Sequence, residues 1–234
     1  MRKIVLDTET TGLNAKLGDR VIEIGCLELR HRRPTGNHFH HYLNPERASE
    51  EGAVKVHGIS DEFLLDKPRF REIASEFIEY IRDAELIIHN APFDVEFLDQ
   101  ELALAKLPPL AQHCAGVRDT LKLAKELHPG KKNSLDALCE RYGVNNAHRT
   151  LHGALLDAEL LAEVYLAMTR GQESLVMELE QAPAAVESAA GVPTERAKLT
   201  LLAAGAEELA EHAELLQGIQ AESKGKCVWL KLEG

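Results

Sequence analysis

The sequence predicts an α/β protein, a β-sheet covered by helices, on three observations. Strand-like stretches crowd the first 45 residues, apolar stripes of helical spacing follow, and a short apolar strand is set between two of those helices. The 234 residues, 44% hydrophobic and 28% charged, suffice for one well-cored domain plus something smaller.

Residues 3–9 and 21–29 read as strands, and 38–43 as a third. From Arg69 to Arg82, apolar side chains at 70, 73, 74, 77, 78 and 81 form one helical stripe. Leu86-Ile87-Ile88 is a short buried strand, and Pro92 opens a helix to about Ala105, since proline suits a first turn. Helices near 119–127, 134–142 (Ser134 as N-cap) and 153–169 complete the domain.

Composition changes after residue 178. Glu180 to Arg196 holds small residues and two prolines with little to bury, which reads as a flexible linker spanning on the order of 20–25 Å. Beyond it, 206–222 is helix-like, and Cys227-Val228-Trp229-Leu230 holds the chain's one tryptophan. So short a tail cannot build a core, so it is expected to dock on another protein.

The net charge of −11 argues against a protein that coats nucleic acid, but not against an enzyme that grips a few nucleotides through bound cations. No apolar run is long enough to span a bilayer, so no membrane is expected. The first residues carry charge and no secretory signal. Cys26, Cys114, Cys139 and Cys227 are widely spaced, which favours a reducing cytoplasm over a disulfide framework.

Three short stretches carry the chemistry. Asp7 and Glu9, two apart at a strand end, project from one face. Asp94 follows Asn90 at a strand–helix junction, and His152 precedes Asp157 by five residues. Five helical residues turn the chain about 500°, so these two converge only if His152 lies in the preceding loop, as Gly153 permits. Singly, each stretch has a plainer reading: solvated strand-end charges, an acid in a helix's first turn, a loop histidine beside an exposed acid.

Together they are more specific. Asp7-x-Glu9, Asn90-x-x-x-Asp94 and His152-x-x-x-x-Asp157 resemble, in order, the DEDD superfamily of 3′→5′ exonucleases in its histidine branch. Within that branch the chain is similar to the proofreading subunits of bacterial replicative DNA polymerases. Val56-His57-Gly58-Ile59, Asn133 to Cys139, Arg149 to Ala158 and the Cys227-Val228-Trp229 tail carry that likeness. It implies a ribonuclease H-like mixed sheet flanked by helices over 1–178, a linker over 179–196 and a short polymerase-docking tail over 197–234.

The chemistry agrees. Two carboxylates about 4 Å apart repel by about 4 kcal/mol at an effective dielectric near 20, so four acids in one pocket need cations. Oxygen ligands without cysteine favour two Mg²⁺ or Mn²⁺ ions over zinc. The expected ligands are Asp7, Glu9, Asp94 and Asp157, with Asp7 shared by both ions and Asp94 holding the ion beside the leaving oxygen. His152 is the candidate general base. The expected reaction is hydrolysis of the 3′-terminal phosphodiester, releasing nucleoside 5′-monophosphates.

The resemblance further implies that Thr10, Leu13, His57, Asn90 and Phe93 contact a frayed or single-stranded 3′ end of DNA, although Leu13 and Phe93 also read as plain core. The tail would hold the polymerase's catalytic (alpha) subunit. Gln172, Leu175 and Met177, within 172–177, resemble the peptide that binds a sliding clamp, with Met in place of the commoner Phe. Two readings compete: a stand-alone exoribonuclease or single-strand nuclease, and a non-catalytic polymerase–clamp scaffold. Gly130-Lys131-Lys132 lacks the upstream glycine of a phosphate loop, and His38, His40 and His41 read as a solvated strand face.

Overall fold

The computed structural model describes residues 2–147, 149, 151–170, 205–223 and 229. The chain divides into two units, Met1–Leu179 and Glu180–Gly234.

In the first unit, β1 (Arg2–Thr10), β2 (Val21–Arg30) and β3 (Arg33–Tyr42) form an antiparallel meander. His31 and Arg32, with φ of 49° and 60°, make the two-residue turn between β2 and β3; paired positive φ values match the twist of a hairpin. Helices α1 (Glu51–His57), α2 (Asp61–Leu64) and α3 (Phe70–Ile81) then lead to β4 (Glu85–Ile88), which pairs parallel with β1. Next come α4 (Ala91–Leu104), β5 (Gly116–Asp119, parallel to β4), α5 (Thr120–Leu127), α6 (Leu135–Tyr142) and α7 (Ala154–Met168). The sheet order is β3-β2-β1-β4-β5, a mixed sheet with helices on both faces, as the sequence predicts.

Alternation along β1 divides the core. Ile4 and Leu6 face one layer, where Phe70, Ile73 and Phe77 of α3 and Phe97, Leu98 and Leu102 of α4 pack. Val5 faces the other, against Ala158, Leu161 and Ala162 of α7. Carried on two and four residues, that second face takes Asp7 and Glu9 toward the helix that bears Asp157.

Three segments differ from expectation. The third strand starts at Arg33 rather than 38, because the exposed Arg33–His38 stretch extends the hairpin without an apolar pattern. β5 has no buried side chain and is held by pairing with β4, so periodicity does not reveal it. The short helices α1 and α2 bury only His57 and Leu64 between them, and leave little stripe to read.

Among the described residues no helix is long and apolar enough to cross a membrane, and Cys26, Cys114 and Cys139 are free thiols. The second unit shows one helix, α8 (Ala206–Glu222), with no buried residue. Trp229 is exposed. The expected clamp peptide (Gln172, Leu175, Met177) and the 179–196 linker lie outside the described residues, as does most of the remaining tail.

Candidate active site

A single cleft of about 810 Å³ opens where the ends of β1 and β4 meet α1 and the starts of α4 and α7. Asp7, Glu9, Asp94, His152 and Asp157 all line it, as do Thr10, Leu13, His57, Asn90 and Phe93.

The position of α7 rests on β2. Gly25 pairs opposite Asp7, and a Cβ there would come within 2.2 Å of Leu155 N and 2.3 Å of Ala154 C, so the helix start lies directly on bare backbone. Glu23, opposite Glu9 and 2% exposed, accepts the Ala154 N–H at 3.1 Å, supplying the cap that Gly153 cannot. Gly153 is extended, so His152 stays in the loop, where its N–H donates to Val56 O at 3.1 Å. Asp157 sits in the first helical turn, and its Oδ2 is 3.3 Å from His152 Nδ1. This is the convergence that the five-residue spacing requires.

Asp94 enters from α4. Asn90, in the left-handed region at φ 64°, turns the chain out of β4 into that helix. Thr8 Oγ1 donates to Asp94 Oδ1 at 2.7 Å, which ties α4 to the strand carrying Asp7 and Glu9.

Arg149, paired with Asp157, is too little positive charge for these acids. Burial, then Asp94, Asp157 and Glu9, push Asp7 well above the usual carboxylate range. Burial, then Asp157 and Glu23, raise Glu9 to about 8. Burial raises Asp94 to about 7 against the Thr8 hydrogen bond that lowers it. Such a cluster fits a divalent cation: it offers hard oxygen donors, and bound positive charge would relieve both repulsion and desolvation. Among the described residues, Glu9, His152 and Asp157 place ligand atoms within 4.8 Å of one another. Asp7 and Asp94 share the cleft without joining that group.

Of the residues expected at substrate, Leu13 is 81% exposed, which removes the core reading. Phe93 is half-buried, its ring tilted on Phe97 at 4.9 Å. Thr10 is buried, with its hydroxyl donating to Gly12 O at 2.6 Å. His57 is buried too; its Nδ1 accepts the Ile59 N–H at 2.9 Å, and its Nε2 has no protein partner. The histidine row is not wholly solvated: His40 Nε2 bonds Glu23 Oε1 at 2.7 Å, and the His41 ring lies 4.6 Å from that of Phe39.

Sequence reasoning missed Thr8, Glu23 and Arg149 as parts of the site. Glu23 carried a signal, a lone acid within the apolar run Val21 to Leu27. Arg149 opens a stretch that carries the family likeness, but nothing in its spacing marks it as a site residue: it forks onto Asp157, Nε to Oδ1 at 2.5 Å and Nη2 to Oδ2 at 2.7 Å.

Fold and site together define an exonuclease. The RNase T exonuclease family matches residues 4–165. The chain is 50% identical to the DNA polymerase III subunit epsilon of Pasteurella multocida, over 98% of this chain and 94% of that one. It is likewise 50% identical to the subunit of the same name from Escherichia coli strain K12, over 97% of each. Among solved structures, exonuclease X in complex with 5′ overhanging duplex DNA superposes with a TM-score of 0.58 at 26% identity, covering 73% of this chain and 93% of that one. Escherichia coli exonuclease I with a dT13 oligonucleotide shares the fold at a TM-score of 0.63 and 20% identity, over 74% of this chain and 42% of that one. The chain belongs to the exonuclease family, among the DNA polymerase III epsilon subunits. It is a nuclease, and nothing in the comparisons favours an exoribonuclease or a scaffold.

Proposed function

We propose that this chain proofreads for a replicative DNA polymerase, removing nucleotides singly from a 3′ end of DNA. One observation carries the reading: four acids and a histidine from β1, α4, α7 and the loop before α7 meet in one cleft. Asp7, Glu9, Asp94 and Asp157 would hold two Mg²⁺ or Mn²⁺ ions, which when bound supply Lewis-acid stabilisation of the attacking and leaving oxygens.

The side chains do the rest. His152 takes the proton from the attacking water, a task suited to an imidazole near neutral pH. Thr8 fixes the Asp94 carboxylate, and Glu23 anchors the helix that presents Asp157. Leu13, projecting at the cleft, wedges against the last bases, while Phe93 offers an apolar face to the terminal sugar. With its Nδ1 occupied by the Ile59 N–H, neutral His57 carries its proton on Nε2 and donates to the nucleotide. Thr10 and Asn90 line the same subsite. Unpairing is least costly at a mismatch, so mispaired ends reach the cleft more often without being read directly.

The order of the chain supports the division of labour read from the sequence: the nuclease over 1–178, a linker over 179–196, and a 197–234 tail that docks on the polymerase's alpha subunit. Residues 172–177 would engage the sliding clamp, and the place of work is the cytoplasm, with the replicating DNA. The test compares matched and mispaired 3′-labelled DNA primers with an RNA oligomer, each with Mg²⁺ or EDTA. Faster release of 5′-monophosphate from mispaired DNA, abolished by EDTA, is expected; equal or preferred cleavage of RNA would remove the proofreading assignment.

A further inference from the structure

We propose that Arg149 is a latch on the catalytic centre: its guanidinium and a divalent ion are alternative occupants at Asp157, and the same guanidinium caps the general base. The inference rests on the reading of Asp157 as a metal ligand and His152 as base, and concerns what else touches them.

Arg149 lies in the segment between α6 and α7, its side chain 7% exposed. Besides the fork onto both Asp157 oxygens, Nη2 approaches His152 Nδ1 at 2.8 Å. A guanidinium has only donors, so that hydrogen bond consumes the Nδ1 lone pair. The neutral imidazole then carries its proton on Nε2 and has no free nitrogen with which to accept one from water. One side chain therefore engages two of the groups the reaction needs.

A divalent ion cannot share Asp157 with this arrangement at little expense. The carboxylate charge is already matched by a fork at short range, and a second cation beside it meets the guanidinium's repulsion in a poorly solvated cleft. Withdrawal has a ready destination. Arg149 Nη1 already bonds Asp136 Oδ1 at 2.8 Å, and the Asp136 side chain is 57% exposed at the cleft's edge. The guanidinium can leave Asp157 and His152 while keeping that partner, and the incoming ion takes over the charge of buried Asp157, so the exchange strands neither group. Ion entry and release of the base are thus coupled in one movement, and the ion-bound centre is the one in which His152 is free.

The coupling predicts opposite signs for two substitutions. In calorimetric titration of Mn²⁺ into the EDTA-stripped, dialysed full chain, Arg149→Gln should bind about tenfold tighter than wild type, a coupling of ordinary size between exclusive ligands. Asp136→Asn removes the destination and should bind more weakly. Nitrogen-15 NMR of the His152 ring in wild type, which needs no substitution, should show the Nε2–H tautomer with EDTA and a changed Nδ1 environment with saturating Mg²⁺. A merely structural Arg149 would give equal or weaker Mn²⁺ binding in Arg149→Gln and an Nδ1 signal indifferent to Mg²⁺; either result overturns the latch. Wild type that binds no Mn²⁺ at all removes the metal-site reading itself, and the latch with it.

Discussion

Glu28 and Glu101 are as buried as Glu9 and Asp94, with 4%, 2%, 8% and 3% of their surfaces exposed, yet the protein surrounds the two pairs differently. Arg20 forks onto Glu101 at 2.7 and 2.8 Å, and the Val21 N–H adds a third bond. Burial alone would raise Glu28, but hydrogen bonds from Arg2, Thr35 and Arg30 outweigh it and bring the carboxyl down to about 2. The cleft acids move the other way. Where an acid holds the sheet together, the fold supplies its counter-charge; where acids gather at the cleft, only Arg149 is supplied, and the shortfall is what a divalent ion fits. Arg149–Asp157 has the geometry of the first class at the address of the second, which is why it stands out.

The sharpest way to break that contrast is Asp7→Asn. It should lower Mg²⁺-dependent cleavage by about 10³-fold or more, the equivalent of several kcal/mol of lost stabilisation, while unfolding with EDTA present shifts little or upward because a repelled charge is gone. Retained hydrolysis would end the two-ion reading. Arg20→Ala, on the other side, should cost about 3–5 kcal/mol in urea unfolding, since Glu101 is left buried without a counter-charge. At a temperature where the variant stays folded, its turnover should remain close to wild type. His152→Ala should slow turnover about 10²-fold with single-strand binding nearly unchanged, measured by fluorescence anisotropy.

pH separates the two classes by sign. Glu9 and Asp94 bind protons more tightly folded than unfolded (about 8 against 4.5, and about 7 against 3.8). With EDTA, stability should therefore fall as pH rises from about 4 to 8, and saturating Mg²⁺ should flatten that slope. Glu28, lowered from 4.5 to about 2, gives stability that is present above pH 4.5 and lost as pH drops through 2. Melting temperatures across pH, with and without Mg²⁺, read both limbs; identical upper limbs would argue that the cleft acids gain nothing from the ion. The smallest effect expected is Leu13→Ala. An exposed wedge contributes binding rather than chemistry, so KM for primer should rise a few-fold, on the order of 1 kcal/mol or less, with kcat held.

Much of this was legible beforehand because it rests on period and punctuation. Alternation put Asp7 and Glu9 on one face, the stripe from Phe70 to Ile81 gave α3, and Gly153 predicted the break that lets His152 meet Asp157. What stayed hidden depends on other segments. β5 is a strand because β4 supplies hydrogen bonds, not because Gly-Val-Arg-Asp has a buried side. Thr8 became important only when α4 brought Asp94 to its hydroxyl, and Arg149, within a stretch already noted, has a role set by acids on two different helices.

Gly25 has a final consequence. Because the start of α7 rests on it without an intervening side chain, the closest approach of the Asp157 helix to the sheet is set by backbone against backbone. Bare backbone cannot repack, so the spacing is not adjustable in small increments. The tolerance of a centre that must hold oxygens at bonding distance from small ions is thus machined into a residue with no functional group of its own.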